Sequence, residues 1–392
     1  MKGNFTYYNP TKIYFGRDSL DGLDKELPLY GNIVLLVYGG GSIKSNGVYD
    51  AVVSKLKANK KTIIEDAGVL ANPTIEKMQE GFALVKKHKV DLVLAVGGGS
   101  VIDYAKALAA TASETGDIWT RFFENQEKQK AKNIPLATVL TMVGTGSEMN
   151  GGSVISNNAK RLKLSYNFSV GCYPKFSIIN PEFTFSVCFK QMTAGIFDIL
   201  SHILEQYLSN GGVVTSDYMA EGLLRSLVDS AEVAIKNPLD YTARSNIAWT
   251  STWALNSLIG KGKSGDWNVH QISHGISAIT NATHGLALAS VSPSYYRLII
   301  SKGNATAIEQ FRRFAVFVWG VATVGKSDKQ IALGGIDCLE KFTKKMGIRI
   351  NLTQFGVTKS NLKDILNAIH LSNYGFEKIT KSEVEQILIS LL

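Results

Sequence analysis

Asp198 and His202 interrupt an apolar stretch, GIFDILSHILEQY at residues 195–207. Four positions apart, they share one face of a helix, one turn from each other. Ile196, Phe197, Ile199, Leu200, Ile203, Leu204 and Tyr207 leave little of the segment as a solvated face. A carboxylate taken out of water there needs a partner, because an uncompensated buried charge is very costly. Three further imidazoles fall in one tract, DWNVHQISHGISAITNATHG. His270 and His274 are a helical turn apart, and His284 follows a break expected at Asn281-Ala-Thr283. His88 and His370 lie in polar helical surroundings and read as surface residues. Asp198, His202, His270 and His284 make a set of one carboxylate and three imidazoles, which suits zinc or ferrous iron. A divalent cation would neutralise the acid in its apolar setting. The competing reading is that Asp198 and His202 only cap or bridge neighbouring helices.

A second chemistry is written in glycine. Two apolar runs, NIVLLVY at 32–38 and VDLVLAV at 90–96, are each followed at once by GGGS, at 39–42 and 97–100. Glycine lets the backbone approach a phosphate, and the N–H groups opening a helix attract an anion. Neither turn is a GxGxxG, since Ile102 stands at the last position, and tight turns leading into helices would look the same. In dinucleotide-binding folds an acid at the ribose turn binds the hydroxyls and repels a 2′-phosphate. Gly39, Gly40, Gly41 and Ser42, with Lys44 beyond, supply no acid, so NADPH is favoured over NADH if this turn is the adenosine end. GVATVGKS at 320–327 matches the Walker A expression, but FRRFAVFVW before it reads as the end of a helix and Ser327 as a helix start. It is read as a chance match.

The elements that must position these residues change character along the chain. Up to about residue 185, strand candidates at 32–38, 61–65, 90–96 and 134–142 alternate with helical segments at 46–58, 74–88 and 101–112, the pattern of a parallel sheet covered by helices. Beyond that, helical periodicity dominates: 191–209, 214–235, 240–259, 268–279, 286–300, 304–320, 328–346 and 359–370. An α/β nucleotide-binding domain over 1–185 and an all-α metal-binding domain over 186–392 are expected, and 392 residues suffice for two cores. Hydrophobic residues at 45% and charged ones at 19% are ordinary for a globular chain. No apolar run is long enough to span a membrane, and the opening MKGNFTYYNPTKIYFG lacks a signal-peptide core, so a cytoplasmic protein is expected. Cys172, Cys188 and Cys338 show no metal-type spacing and no disulfide framework. The net charge of +9 is spread without a basic stripe, and no nucleic-acid partner is expected.

With these residues in view, the chain resembles the iron-containing (group III) alcohol dehydrogenases, in particular the butanol dehydrogenase-like branch with its NADPH-dependent aldehyde reductases. The resemblance is carried by FGRDSL (15–20), LLVYGGGSIKSNG (35–47), AVGGGSVIDYAKALA (95–109), LTMVGTGSEMNGGSVIS (140–156), the helix around Asp198 and His202, and the tract from Trp267 to Gly285. It implies a Rossmann-like parallel-sheet domain followed by a helical domain, the two-domain plan shared with dehydroquinate synthase. It implies metal ligands at Asp198, His202, His270 and His284, with His274 a non-ligand near the nicotinamide. Gly97, Gly98, Gly99 and Ser100 match the pyrophosphate loop, followed by Asp103. Thr141, Thr145 and Ser147 match the loop lining the cofactor, Lys163 resembles a lysine contact, and Gly40, Gly41 and Ser42 match the turn facing a 2′-phosphate. A homodimer using the N-terminal strand is implied as well. Gly144 stands where alanine is usual, and the segment after 300 is only generically similar.

The expected activity is hydride transfer between NAD(P)(H) and a primary alcohol or aldehyde such as butanol or butyraldehyde. A divalent metal, Fe2+ or Zn2+, polarises the oxygen and His274 relays the proton. A dehydroquinate synthase-like lyase should show a basic pocket, against which Trp253, Trp267 and Ile276 argue. A non-catalytic assembly protein with a vestigial site should have lost a ligand.

Overall fold

The computed structural model describes residues 4–392. It contains eight strands: β1 (Lys12–Phe15), β2 (Ile33–Tyr38), β3 (Thr62–Asp66), β4 (Leu92–Gly97), β5 (Leu136–Leu140), β6 (Gly152–Asn157), β7 (Leu162–Asn167) and β8 (Phe176–Ile179). Six form one sheet in the order β1-β8-β5-β4-β2-β3, with every neighbouring pair parallel. β6 and β7 pair antiparallel as a separate hairpin. The helices of this α/β unit are α1 (Gly22–Glu26), α2 (Ser42–Ser45), α3 (Val48–Ala58), α4 (Ile75–His88) and α5 (Gly99–Thr111). Strands β2 and β4 are unbroken apolar runs because both faces of the sheet are covered. Val34, Leu36, Leu92, Leu94 and Val96 pack with Leu23, Leu27, Val52 and Leu56. The opposite set, Leu35, Val37, Val93 and Ala95, is equally buried, and α5 lies against β4.

The second unit is built from α6 (Phe189–Tyr207), α7 (Val214–Ala234), α8 (Tyr241–Ala254), α9 (Asn268–Thr280), α10 (His284–Ser301), α11 (Ala305–Phe317), α12 (Asp328–Lys345), α13 (Leu362–Ala368) and α14 (Lys381–Ser390). The chain passes from one unit to the other between Cys188 and Phe189. Residues 4–7 group with the helical unit, and residues 239–248, including the start of α8, with the α/β unit. α6 is buried on every side from Met192 to Tyr207, and α10 packs against both α6 and α9.

The strands expected at 32–38, 61–65, 90–96 and 134–142 form β2 to β5. Strand β8, the β6–β7 hairpin and helix α14 were not anticipated. The Walker A-like segment lies between the end of α11 at Phe317 and a capping box in which Ser327 and Gln330 start α12. Val324 at its middle is 93% exposed. No strand leads into it, so the phosphate-loop context is missing.

Candidate metal centre and cofactor loops

Three helices bring the histidine set together. α6 carries Asp198 and His202, α9 carries His270, and α10 opens with His284. The break between α9 and α10 is made by Asn281, whose φ of 54° is left-handed, a conformation asparagine tolerates at helix ends. Gly285 then lets α10 touch α6, since a Cβ there would stand 2.0 Å from the Ala194 carbonyl oxygen. Oδ1 of Asp198 lies 3.7 Å from Nε2 of each of His202, His270 and His284. A tetrahedral ion with ligands at about 2.1 Å has corners about 3.4 Å apart, close to these spacings. The side chains of Asp198, His202 and His270 are almost fully buried, whereas that of His284 is 23% exposed. Access to the cluster is therefore from the His284 side.

The donor set fits a divalent cation. Nε2 of His270 is buried without a hydrogen bond, while its Nδ1 is taken by the Glu205 carboxylate. Nδ1 of His284 meets Ser273 Oγ at 2.8 Å. Both rings are thus held from behind at Nδ1, with Nε2 turned toward Asp198, the arrangement expected of metal-ligating imidazoles. Burial pushes the His270 pKa down, but the Glu205 and Asp198 carboxylates outweigh it and raise it to about 9. Positive charge is therefore favoured at this point. His274 is buried with its ring 5.1 Å from that of His284 and 6.3 Å from that of His270. It borders the cluster without belonging to the four.

In the α/β unit, β2 and β4 are parallel neighbours, so both glycine turns lie at one carboxyl edge of the sheet, where such folds bind ligands. α5 begins at Gly99, and the first N–H groups of a helix have no intrahelical acceptor. A Cβ on Gly99 would fall 2.3 Å from Thr145, so the glycine permits that loop to close on the turn. Thr141 N–H donates to Gly97 O at 3.0 Å, and Thr145 Oγ1 accepts from Ser147 N–H at 3.2 Å. Lys163 donates to Asn72 Oδ1 at 2.9 Å. Gly98 and Ser100 complete the first turn, and Ser100 Oγ donates to Ala71 O. At the other turn Gly40 and Ser42 are exposed, and Gly41 has a φ of 107°. Lys44 Nζ lies over the rings of Tyr38 and Tyr49, 5.1 and 4.6 Å from their centroids, and 3.7 Å from Glu65. Among the described residues no helix is long and apolar enough to cross a membrane.

Comparison with known proteins decides what this arrangement belongs to. Residues 10–181 match the family described as iron-containing alcohol dehydrogenase, and residues 192–392 match the C-terminal part of the Fe-containing alcohol dehydrogenase family. The chain belongs to the iron-containing alcohol dehydrogenase family. As a member it is an oxidoreductase. It is 39% identical over 388 residues to the probable NADH-dependent butanol dehydrogenase 1 of Bacillus subtilis, covering 98% of each chain. It is 33% identical over 369 residues to the NADPH-dependent aldehyde reductase of Escherichia coli, covering 93% of this chain and 92% of that one. The crystal structure of an NADH-dependent butanol dehydrogenase A from Thermotoga maritima superposes with a TM-score of 0.92 at 37% identity, covering 99% of this chain and 98% of that one.

Two residues of this iron-containing alcohol dehydrogenase went unnoticed in the sequence. Glu205 has no exposed side-chain surface and backs His270. Lys106 is fully buried, and its Nζ donates to Ser147 O, Ser147 Oγ, Asn150 Oδ1 and Gly152 O at 2.7–3.0 Å. Burial lowers its pKa to about 8. Beside it Asp103 uses both carboxylate oxygens within the chain, on Ser147 Oγ and Val154 N–H. Asp103 and Ser147 therefore hold the 147–154 segment against α5.

Proposed function

We propose that the chain is a metal-dependent aldehyde reductase and primary-alcohol dehydrogenase, moving hydride between NADP(H) and substrates of about the size of butyraldehyde and butanol. The observation that carries this reading is the approach of three Nε2 atoms to one carboxylate oxygen of Asp198, each at 3.7 Å. Asp198, His202, His270 and His284 would hold ferrous iron or zinc. A bound ion supplies Lewis acidity to a carbonyl or alcohol oxygen, and the nicotinamide carries the hydride. The residues of the chain do the rest. Burial of Asp198, His202 and His270 keeps bulk water from the reacting oxygen. The His274 imidazole gives or takes the proton of that oxygen on a ring nitrogen. Gly97–Ser100 and the opening amides of α5 hold the pyrophosphate, with Thr141, Thr145 and Lys163 around the cofactor.

Preference for NADPH over NADH rests on the turn Gly40, Gly41 and Ser42, which offers no acid to repel a 2′-phosphate, and on the Lys44 ammonium two residues on. A cytoplasmic homodimer, paired through the edge strand β1, goes with this reading. Matches to the family along both halves of the chain give the lyase and assembly readings no support. The test is oxidation of NADPH and of NADH with butyraldehyde, on protein reloaded anaerobically with ferrous iron and in parallel with zinc. Metal-dependent oxidation faster with NADPH is expected. Faster oxidation of NADH removes the turn argument alone. No oxidation, despite measured binding of metal and cofactor, overturns the substrate and enzyme reading.

A further inference from the structure

We propose that Glu205 is the positioning residue of the metal centre: its carboxylate fixes the His270 ring with the proton on Nδ1 and the lone pair of Nε2 turned toward Asp198. The proposal rests on the metal-holding reading above and adds to it the device that sets the geometry.

His202 and Glu205 follow Asp198 by four and seven residues on α6, one stripe of a helix. Glu205 is wholly buried, and each hydrogen bond to its carboxylate comes from a donor. Ser201 Oγ donates to Oε1 at 3.2 Å, and the Val269 N–H donates to Oε2 at 3.1 Å. The His270 N–H reaches both oxygens, at 3.2 and 3.4 Å, and His270 Nδ1 meets Oε1, an oxygen that as carboxylate can only accept. A carboxylate offers acceptors only, whereas an amide in its place would turn an NH2 group toward one of these donors. The grip on His270 is double, at its backbone and at its ring, so the ring is fixed relative to α6. That helix bears two of the four ligands itself. One helix therefore sets the spacing of three. Ser273 of α9 then holds His284 in the same sense through a neutral hydroxyl at 2.8 Å.

A merely structural role is available to Glu205, because Val269 and His270 lie in the first turn of α9, whose N–H groups need an acceptor. The two roles separate in a metal-binding experiment. Zinc affinity is measured by chelator competition on metal-free wild type and Glu205→Gln, together with the melting temperature of both metal-free proteins and the visible absorption of their cobalt(II) forms. Positioning predicts zinc binding about 10–100-fold weaker in folded Glu205→Gln, with an altered cobalt spectrum. Unchanged affinity and spectrum, with only the melting temperature lowered, overturn the proposal and leave Glu205 a cap of α9. Wild type that binds neither zinc nor cobalt overturns the metal reading itself, and the proposal with it. Where Glu205→Gln does not fold, long-range 1H–15N spectra of zinc-loaded wild type decide: His270 protonated at Nδ1 supports the proposal, and the opposite tautomer overturns it.

Discussion

Ser147 Oγ donates a 2.5 Å hydrogen bond to Oδ1 of Asp103, inside the helix-and-loop layer beneath the glycine turn. Lys106 completes the group by donating to the same serine at 2.9 Å. Both groups are buried, and each feels the other's charge across Ser147. Removing one partner of a buried pair costs about 3–5 kcal/mol. Lys106→Met is expected to lower stability by that order in denaturant titration. Its NADPH affinity should fall as well, because the 146–154 segment loses its anchor. Unchanged melting and unchanged NADPH affinity would show that the loop holds its shape without the lysine.

The turn proposed to face the adenosine ribose can be rewritten. A Cβ on Gly40 meets nothing within 4 Å, and its φ is not left-handed. Gly40→Asp should therefore fold normally and, on the proposed reading, put an acid beside a 2′-phosphate. The ratio of kcat/KM for NADPH to that for NADH should drop at least tenfold, on the order of one lost charge-assisted contact. Lys44→Ala should raise the KM for NADPH and leave that for NADH nearly unchanged. Steady-state kinetics with both cofactors check both variants.

His274 borders the cluster without joining it, so its loss should separate chemistry from metal retention. His274→Ala is expected to lower kcat by about 10²–10⁴, the usual range for a general acid–base group. Metal content by elemental analysis should stay near one per chain. A variant emptied of metal would make His274 a ligand.

Gly285 is required by contact rather than by backbone conformation. Gly285→Ala forces a methyl group onto the Ala194 carbonyl, so α10 must move off α6 and take His284 with it. Zinc retention after dialysis against a chelator should fall sharply while helix content by circular dichroism stays close to wild type. Wild-type retention would mean that the helices accommodate the methyl group without moving the ligand.

Asp266 gives the helical unit a pH dependence. Burial first, and the charge of Glu205 second, push its carboxyl up to about 7, while Tyr295 and Asn268 donate to it at 2.9 and 2.7 Å. In the unfolded chain an aspartate titrates at about 3.9. Between these values the folded state holds the extra proton, so this group's contribution is complete below about pH 4 and is lost as pH rises through 7. Asp266→Asn abolishes the titration. The melting temperature of the variant minus that of wild type should therefore rise from pH 5 to pH 8. A difference that is flat across that range would refute the assignment.

How far the sequence disclosed this protein varies from residue to residue. The clustering of Asp198, His202, His270 and His284 was legible because residue types able to bind a metal stood out against apolar surroundings. Glu205 was overlooked although the same quoted segment placed it seven residues after Asp198, since a glutamate late in a helix also suits a solvated face. Lys106 was overlooked because one lysine among alanines suits a surface helix, and only the fold shows α5 buried from Val101 to Thr111. The FSII of β8 is too short to announce itself, as its strand character comes from pairing with β1 and β5, far away in sequence. For α14 a signal was present: Thr380 and Glu383 form a capping box.

The complete burial of α6 from Met192 to Tyr207 also limits what mutation can try there. A surface helix has a side on which substitutions are nearly neutral, and sequence can wander along it. α6 has no such side over those residues, so most changes anywhere on it are paid for in folding before they reach chemistry. A library randomised on this helix should return mainly dead protein. Altered substrate range is better sought around the open flank of His284, where a side chain can change without a core to repack.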